Sequence, residues 1–102
     1  MCLGLKKETL EKITGKIALN EKVKQAIIFG SRAKGTQREG SDIDITLKGE
    51  DLDINDLNQL SLDLDELELP YLIDLSIYHH INEEDLKDHI GRVGKIIFTR
   101  EA

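Results

Sequence analysis

Several things are scarce in this sequence of 102 residues. It has one cysteine, one proline, no tryptophan, two tyrosines and two phenylalanines. A lone thiol, Cys2, excludes an internal disulfide, and no Cys/His spacing resembles a zinc site, so a reducing, cytoplasmic setting is the simplest expectation. No apolar run approaches the ~20 residues a membrane span needs. Lys6 and Lys7 arrive before any signal-peptide core could form. Basic residues are in deficit too: 14 Lys plus Arg stand against 20 Asp plus Glu, a formal net charge of −6. That balance argues against sequence-independent binding to nucleic acid, which relies on basic surface. The length suits a single domain over residues 1–102 with one core, and there is no internal repeat or low-complexity tract.

What is present is hydrophobic periodicity that changes along the chain. Leu10, Ile13 and Ile17 recur at helical spacing and predict a helix over 6–19, with Gly15 inside it as a weak point. Residues 26–29 form a short apolar run closed by Gly30, suited to a buried strand. Residues 31–34 suit a single helical turn with Ser31 as its N-cap. Residues 41–47 alternate strictly, which predicts a strand with one polar face. Asp53 or Asn55 then caps a helix that ends before Pro70, its buried stripe running Ile54, Leu57, Leu60, Leu64 and Leu67, with Leu62 off the stripe. Over 71–78 the alternation returns, with Ile73, Leu75 and Ile77 on one face and Asp74 and Ser76 on the other. Asn82 can cap a last helix that buries Leu86, Ile90 and Val93, and residues 95–99 close the chain as a strand. The expected fold is α/β (α+β): a small mixed sheet with helices packed on one face and a polar face carrying the carboxylates.

Three of those carboxylates belong together. Asp42 and Asp44 stand two apart on one strand, so both side chains project from the same face. Carboxylates held that close repel unless protons or cations neutralise them, and Mg²⁺ prefers oxygen ligands of this kind. Asp74 falls on the polar face of the next strand and joins them if the two strands are neighbours. Upstream, Gly30-Ser31 sits where a strand meets a possible helical turn. Glycine admits close approach to the backbone, and amide groups at a helix start suit phosphate. Arg32, Lys34 and Arg38 add three cations within seven residues of an otherwise acidic chain. A phosphate cradle beside a metal-binding acid cluster is what nucleotidyl transfer needs, with two ions about 3.5–4 Å apart.

Gly30-Ser31, ten residues, then Asp42-Ile43-Asp44 resembles the G-S-x10-D-x-D signature of the polymerase β-type nucleotidyltransferase superfamily. The fuller string from Phe29 to Gly35, then Gly40 to Ile45, is similar to its minimal members, the MNT proteins. The resemblance implies that Gly30 and Ser31 hold the triphosphate, that Asp42 and Asp44 are paired metal ligands, and that Asp74 is the third acid, activating the incoming hydroxyl. Arg32 and Lys34 match the basic positions that follow the Gly-Ser pair. It also implies two Mg²⁺ ions, ATP as substrate, and an acceptor site shared with a partner, since larger relatives use further domains for that purpose. Many minimal members pair with a HEPN-domain ribonuclease toxin and transfer AMP to one of its tyrosines, which makes such a toxin the expected partner. Two other readings stand beside this one: a non-catalytic antitoxin that neutralises by complex formation, and transfer to a small molecule, for which a homo-oligomer could complete the site. His79 and His80 read as surface residues, Tyr71 and Tyr78 as packing residues at strand ends, Arg38 as surface charge, and Cys2 as a residue of a mobile terminus.

Overall fold

Alternating apolar residues in β2 (Ile43–Lys48) and β3 (Ile73–Ile77), and unbroken apolar runs in β1 (Gln25–Phe29) and β4 (Lys95–Thr99), build four strands. The computed structural model describes residues 5–35 and 42–100; Cys2, Arg38, Gly40 and Ser41 lie outside them. The strands form one sheet in the order β3-β2-β1-β4. β1 runs antiparallel to both its neighbours, whereas β2 and β3 are parallel. A parallel pair needs a crossover, supplied here by the helix between β2 and β3. The helices are α1 (Lys7–Ala18), α2 (Ser31–Lys34), α3 (Ile54–Asp65) and α4 (Glu84–Val93), with a short 3-10 turn at Tyr78–His80.

Ala26, Ile28, Ile43, Ile45, Leu47, Leu75 and Ile77 turn to one face of the sheet. There they are buried with Ile13 and Ile17 of α1 and Leu60 and Leu64 of α3. Each large aliphatic side chain removed from water in this layer contributes about 1.5–3 kcal/mol. α3 starts where its cap dictates: the Asp53 carboxylate accepts the Asp56 N–H, and the Asp56 carboxylate accepts the Asp53 N–H. Ile54 departs from the expected stripe and is 58% exposed, whereas Leu57, Leu60, Leu64 and Leu67 of that stripe lie in or against the core. Leu62 is 60% exposed, as its place off the stripe requires. Beyond β4, Arg100 folds back and donates to the carbonyls of Ala18, Asn20 and Val23 at 2.8, 3.2 and 3.0 Å, tying the sheet edge to the turn after α1.

α1 and α3 form the expected one-sided layer, and α4 adds cover to the second face. Ile27 alternates with Ala26 and Ile28 and therefore points away from α1 and α3, yet it is 6% exposed. It packs against the end of α4: a Cβ on Gly94 would come within 2.7 Å of the Ile27 Cγ2, so this close approach depends on glycine. α4 begins one residue later than an Asn82 cap would place it. Glu83 remains extended at the N-cap and makes no side-chain cap, so the chain straightens after the 3-10 turn before it coils. Among the described residues, no helix is long and apolar enough to cross a membrane.

Candidate active site

β1 delivers the chain to Gly30, whose φ of 76° and ψ of −151° lie in a region essentially reserved for glycine. A Cβ at this position would fall on the Asp44 carboxylate. The missing side chain is thus what lets the Gly30 backbone lie against the acid. Sheet register then sets the neighbours. Phe29 is paired with Asp44, and Asp44 with Asp74, so the three share the second face of the sheet. Asp42 immediately precedes β2 and is exposed; Asp44 is half-buried, and Asp74 is exposed. Burial pushes the Asp44 carboxyl above its ordinary range, and the negative charges of Asp74 and then Asp42 push it further. Two neighbouring acids therefore act on Asp44 beside Gly30.

The structure distributes the cations of the turn unevenly. Gly30 is the N-cap of α2, and Ser31 is its first helical residue rather than the cap, because the positive φ at Gly30 already breaks the strand. Arg32 turns inward, 2% exposed, with its guanidinium 4.7 Å from the Tyr71 ring centroid. It is no solvated turn residue: it joins the Gly-Ser turn to the segment leading into β3. Lys34 is exposed. His79 and His80 lie in the 3-10 turn at the far end of β3, both exposed and packed edge to face, away from the acids.

One residue at the site was not foreseen from sequence. His89 of α4 accepts the Gly30 N–H at Nε2 over 3.1 Å and meets the Phe29 ring edge-on at 6.3 Å. A signal existed: His89 follows Leu86 by three residues and precedes Ile90, which puts a polar residue on the buried stripe of its helix.

Among the described residues, no three His, Cys, Asp or Glu side chains are arranged to hold a metal ion by themselves. The donor set fits an ion that keeps water and takes substrate oxygens, since one or two carboxylates then suffice. A carboxyl whose neighbours resist its ionisation is where such a cation gains most.

The structure thus presses a glycine turn against one member of an acid cluster, at the ends of adjacent strands. Residues 11–102 match the model of the polymerase beta nucleotidyltransferase family, and the chain belongs to that family. It is 43% identical over 75 residues to the Methanocaldococcus jannaschii protein named "Putative protein adenylyltransferase MJ0435", covering 72% of this chain and 78% of that one. A crystal structure of a toxin–antitoxin with AMP-PNP contains a chain that superposes with a TM-score of 0.74 at 26% identity, over 90% of this chain and 74% of the other. The tri-AMPylated Shewanella oneidensis HEPN toxin in complex with its MNT antitoxin gives a TM-score of 0.62 at 21% identity, over 90% and 73% of the two chains, a likeness of fold. The family and fold implied by the Gly-Ser and Asp-x-Asp pattern are thus those of the protein.

Proposed function

We propose that this chain transfers AMP from ATP to a tyrosine hydroxyl of a HEPN-domain toxin, acting as the antitoxin of the pair. The observation that carries this reading is the placement of Asp44 between Asp74 and the Gly30 backbone, with Asp42 adjoining. The adenylyltransferase name of the archaeal relative, the AMP-PNP of one structural neighbour and the AMPylated toxin of another support the nucleotide, the group transferred and the partner. ATP and such a toxin also make the cytoplasm the place of action.

Asp42, Asp44 and Asp74 would hold two Mg²⁺ ions. When bound, these supply positive charge to the triphosphate and the departing pyrophosphate and acidify a coordinated hydroxyl. The Gly30-Ser31 turn receives the triphosphate, and Arg32 and Lys34 add positive charge to it. Asp74 takes the proton of the tyrosine hydroxyl. The phenolic oxygen then bonds to the α-phosphorus as the bond to the bridging oxygen breaks, and pyrophosphate leaves in line. No further nucleophile on this chain is required.

Intact-mass spectrometry of the co-purified toxin after incubation with the chain, ATP and Mg²⁺ tests the proposal. The expected result is a shift of one or more AMP units that disappears with Asp44→Asn, while thermal unfolding shows the variant folded. No shift of a confirmed, unmodified partner would overturn it in favour of neutralisation by complex formation or of a small-molecule acceptor.

A further inference from the structure

The Gly30 amide is committed to a side chain from the far end of the chain, and that contact has consequences for the loop. His89 lies 59 residues away in sequence, on α4, which packs against the second sheet face at Ile27. Its neighbour Ile90 is buried, which anchors this part of α4, and the imidazole edge rests on Phe29, the residue before Gly30 and the pair of Asp44. A ring nitrogen that accepts an N–H carries no hydrogen of its own, so Nε2 acts here as a bare acceptor. The peptide it holds is the one whose unusual conformation brings the backbone against Asp44. Without the acceptor, a half-buried N–H loses its partner, and the glycine, which has the widest conformational choice of any residue, has less to keep it in place.

We infer that His89 is a positioning residue for nucleotide binding: through Nε2 it fixes the Gly30 peptide and so presents the Gly30-Ser31 turn to the triphosphate of ATP. The inference rests on the reading of that turn as the triphosphate site. It assigns His89 no proton transfer and no contact with the acceptor. Its effect falls on binding and positioning of the nucleotide, and the chemistry remains with the acids.

The test is a set of substitutions at His89 in the full-length chain, read by Mg²⁺-ATP affinity in direct titration and by KM for ATP and kcat in the transfer assay. His89→Phe keeps a ring against Phe29 but removes the acceptor. His89→Gln loses the ring but offers an amide oxygen at similar reach. Loss of one hydrogen bond that orders a binding loop predicts about tenfold weaker ATP binding and a raised KM for His89→Phe and His89→Ala, with kcat at saturating ATP within about threefold of the parent. His89→Gln should recover most of the affinity. The inference is overturned if His89→Phe binds ATP as the parent does, or if Phe restores what Ala loses while Gln does not, since packing would then be the whole role. Ser31→Ala separates this from failure of the underlying reading. If Ser31→Ala weakens ATP binding and His89→Phe does not, the His89 inference alone falls; if neither changes it, the turn is not the triphosphate site and both fall.

Discussion

Gly30→Ala is the substitution for which the structure predicts most. Two costs add. An alanine must adopt φ 76° and ψ −151°, a region that costs a residue with a side chain about 1–3 kcal/mol. Its Cβ must also displace the Asp44 carboxylate, which is half-buried and bounded by Asp74, and overpacking of that kind costs about 1–3 kcal/mol. Together they reach about 2–6 kcal/mol, a large part of the 5–15 kcal/mol that holds a typical domain together. Gly35 is the internal control. Its φ of 77° and ψ of 15° are left-handed, but a Cβ there meets nothing within 4 Å, so Gly35→Ala costs only the backbone term, about 1–2 kcal/mol. Urea unfolding followed by circular dichroism measures both. Asp44→Ala removes the obstructing carboxylate, so in that background Gly30→Ala should cost at least about 1 kcal/mol less than in the parent. The reasoning is refuted if Gly30→Ala is no worse than Gly35→Ala, or if its cost is unchanged when Asp44 is alanine.

Two further predictions concern stability. The Asp44 carboxyl is raised above 3.8 by burial and by Asp74 and Asp42, so its protonated form is the one the fold favours. That advantage is fully present below pH 3.8 and is lost as pH rises through the folded value, leaving a standing cost near neutrality. Asp44→Asn should therefore unfold at higher temperature than the parent at pH 7, with the gap closing below pH 4, and it should lose the rise in Tm that Mg²⁺ gives the parent and EDTA reverses; a lower Tm at pH 7 would contradict the repulsion. Arg100→Ala leaves three carbonyls without the guanidinium and should cost about 2–3 kcal/mol in urea unfolding, whereas a loss under about 0.5 kcal/mol would make Arg100 an ordinary surface residue.

Local rules made much of this fold legible in advance. Ile73, Leu75 and Ile77 against Asp74 and Ser76 set both faces of β3, and the Asp53 cap set the start of α3, because side-chain alternation and capping act within a few residues. The closeness of Gly30-Ser31, Asp42 and Asp44 was legible because their spacing along the chain is short, whereas Asp74 joined them only on the condition that β2 and β3 are neighbours, which the parallel register meets. The place of α4 was not. Its apolar stripe says that one side is buried but not against which face of the sheet, and only the unbroken run Ala26-Ile27-Ile28-Phe29 hinted that β1 is covered on both sides. The burial of Arg32 was not legible, because a sequence does not show that Tyr71, 39 positions on, lies against it. His89 went unseen for the same reason: its partner is a backbone amide 59 positions away.

The two contacts that hold Gly30 come from opposite directions along the chain, and this shapes how the site can be built. Asp44 requires that position 30 have no side chain, while His89 requires only that it have an N–H. The first demand is written into the motif as glycine; the second is invisible there, since nineteen of the twenty residues supply an N–H. A signature drawn from residues 30–44 therefore describes the acids and the turn but not what orients the turn. We assign that task to α4, where Ile90 is buried and Gly94 lies against Ile27 of the second sheet face. Burial, and then the neighbouring acids, raise the Asp44 carboxyl on this face, while the aliphatic layer under α1 and α3 is buried on the other. The buried aliphatic layer and the acids thus occupy opposite faces of the sheet, with α4 packed on the face of the acids.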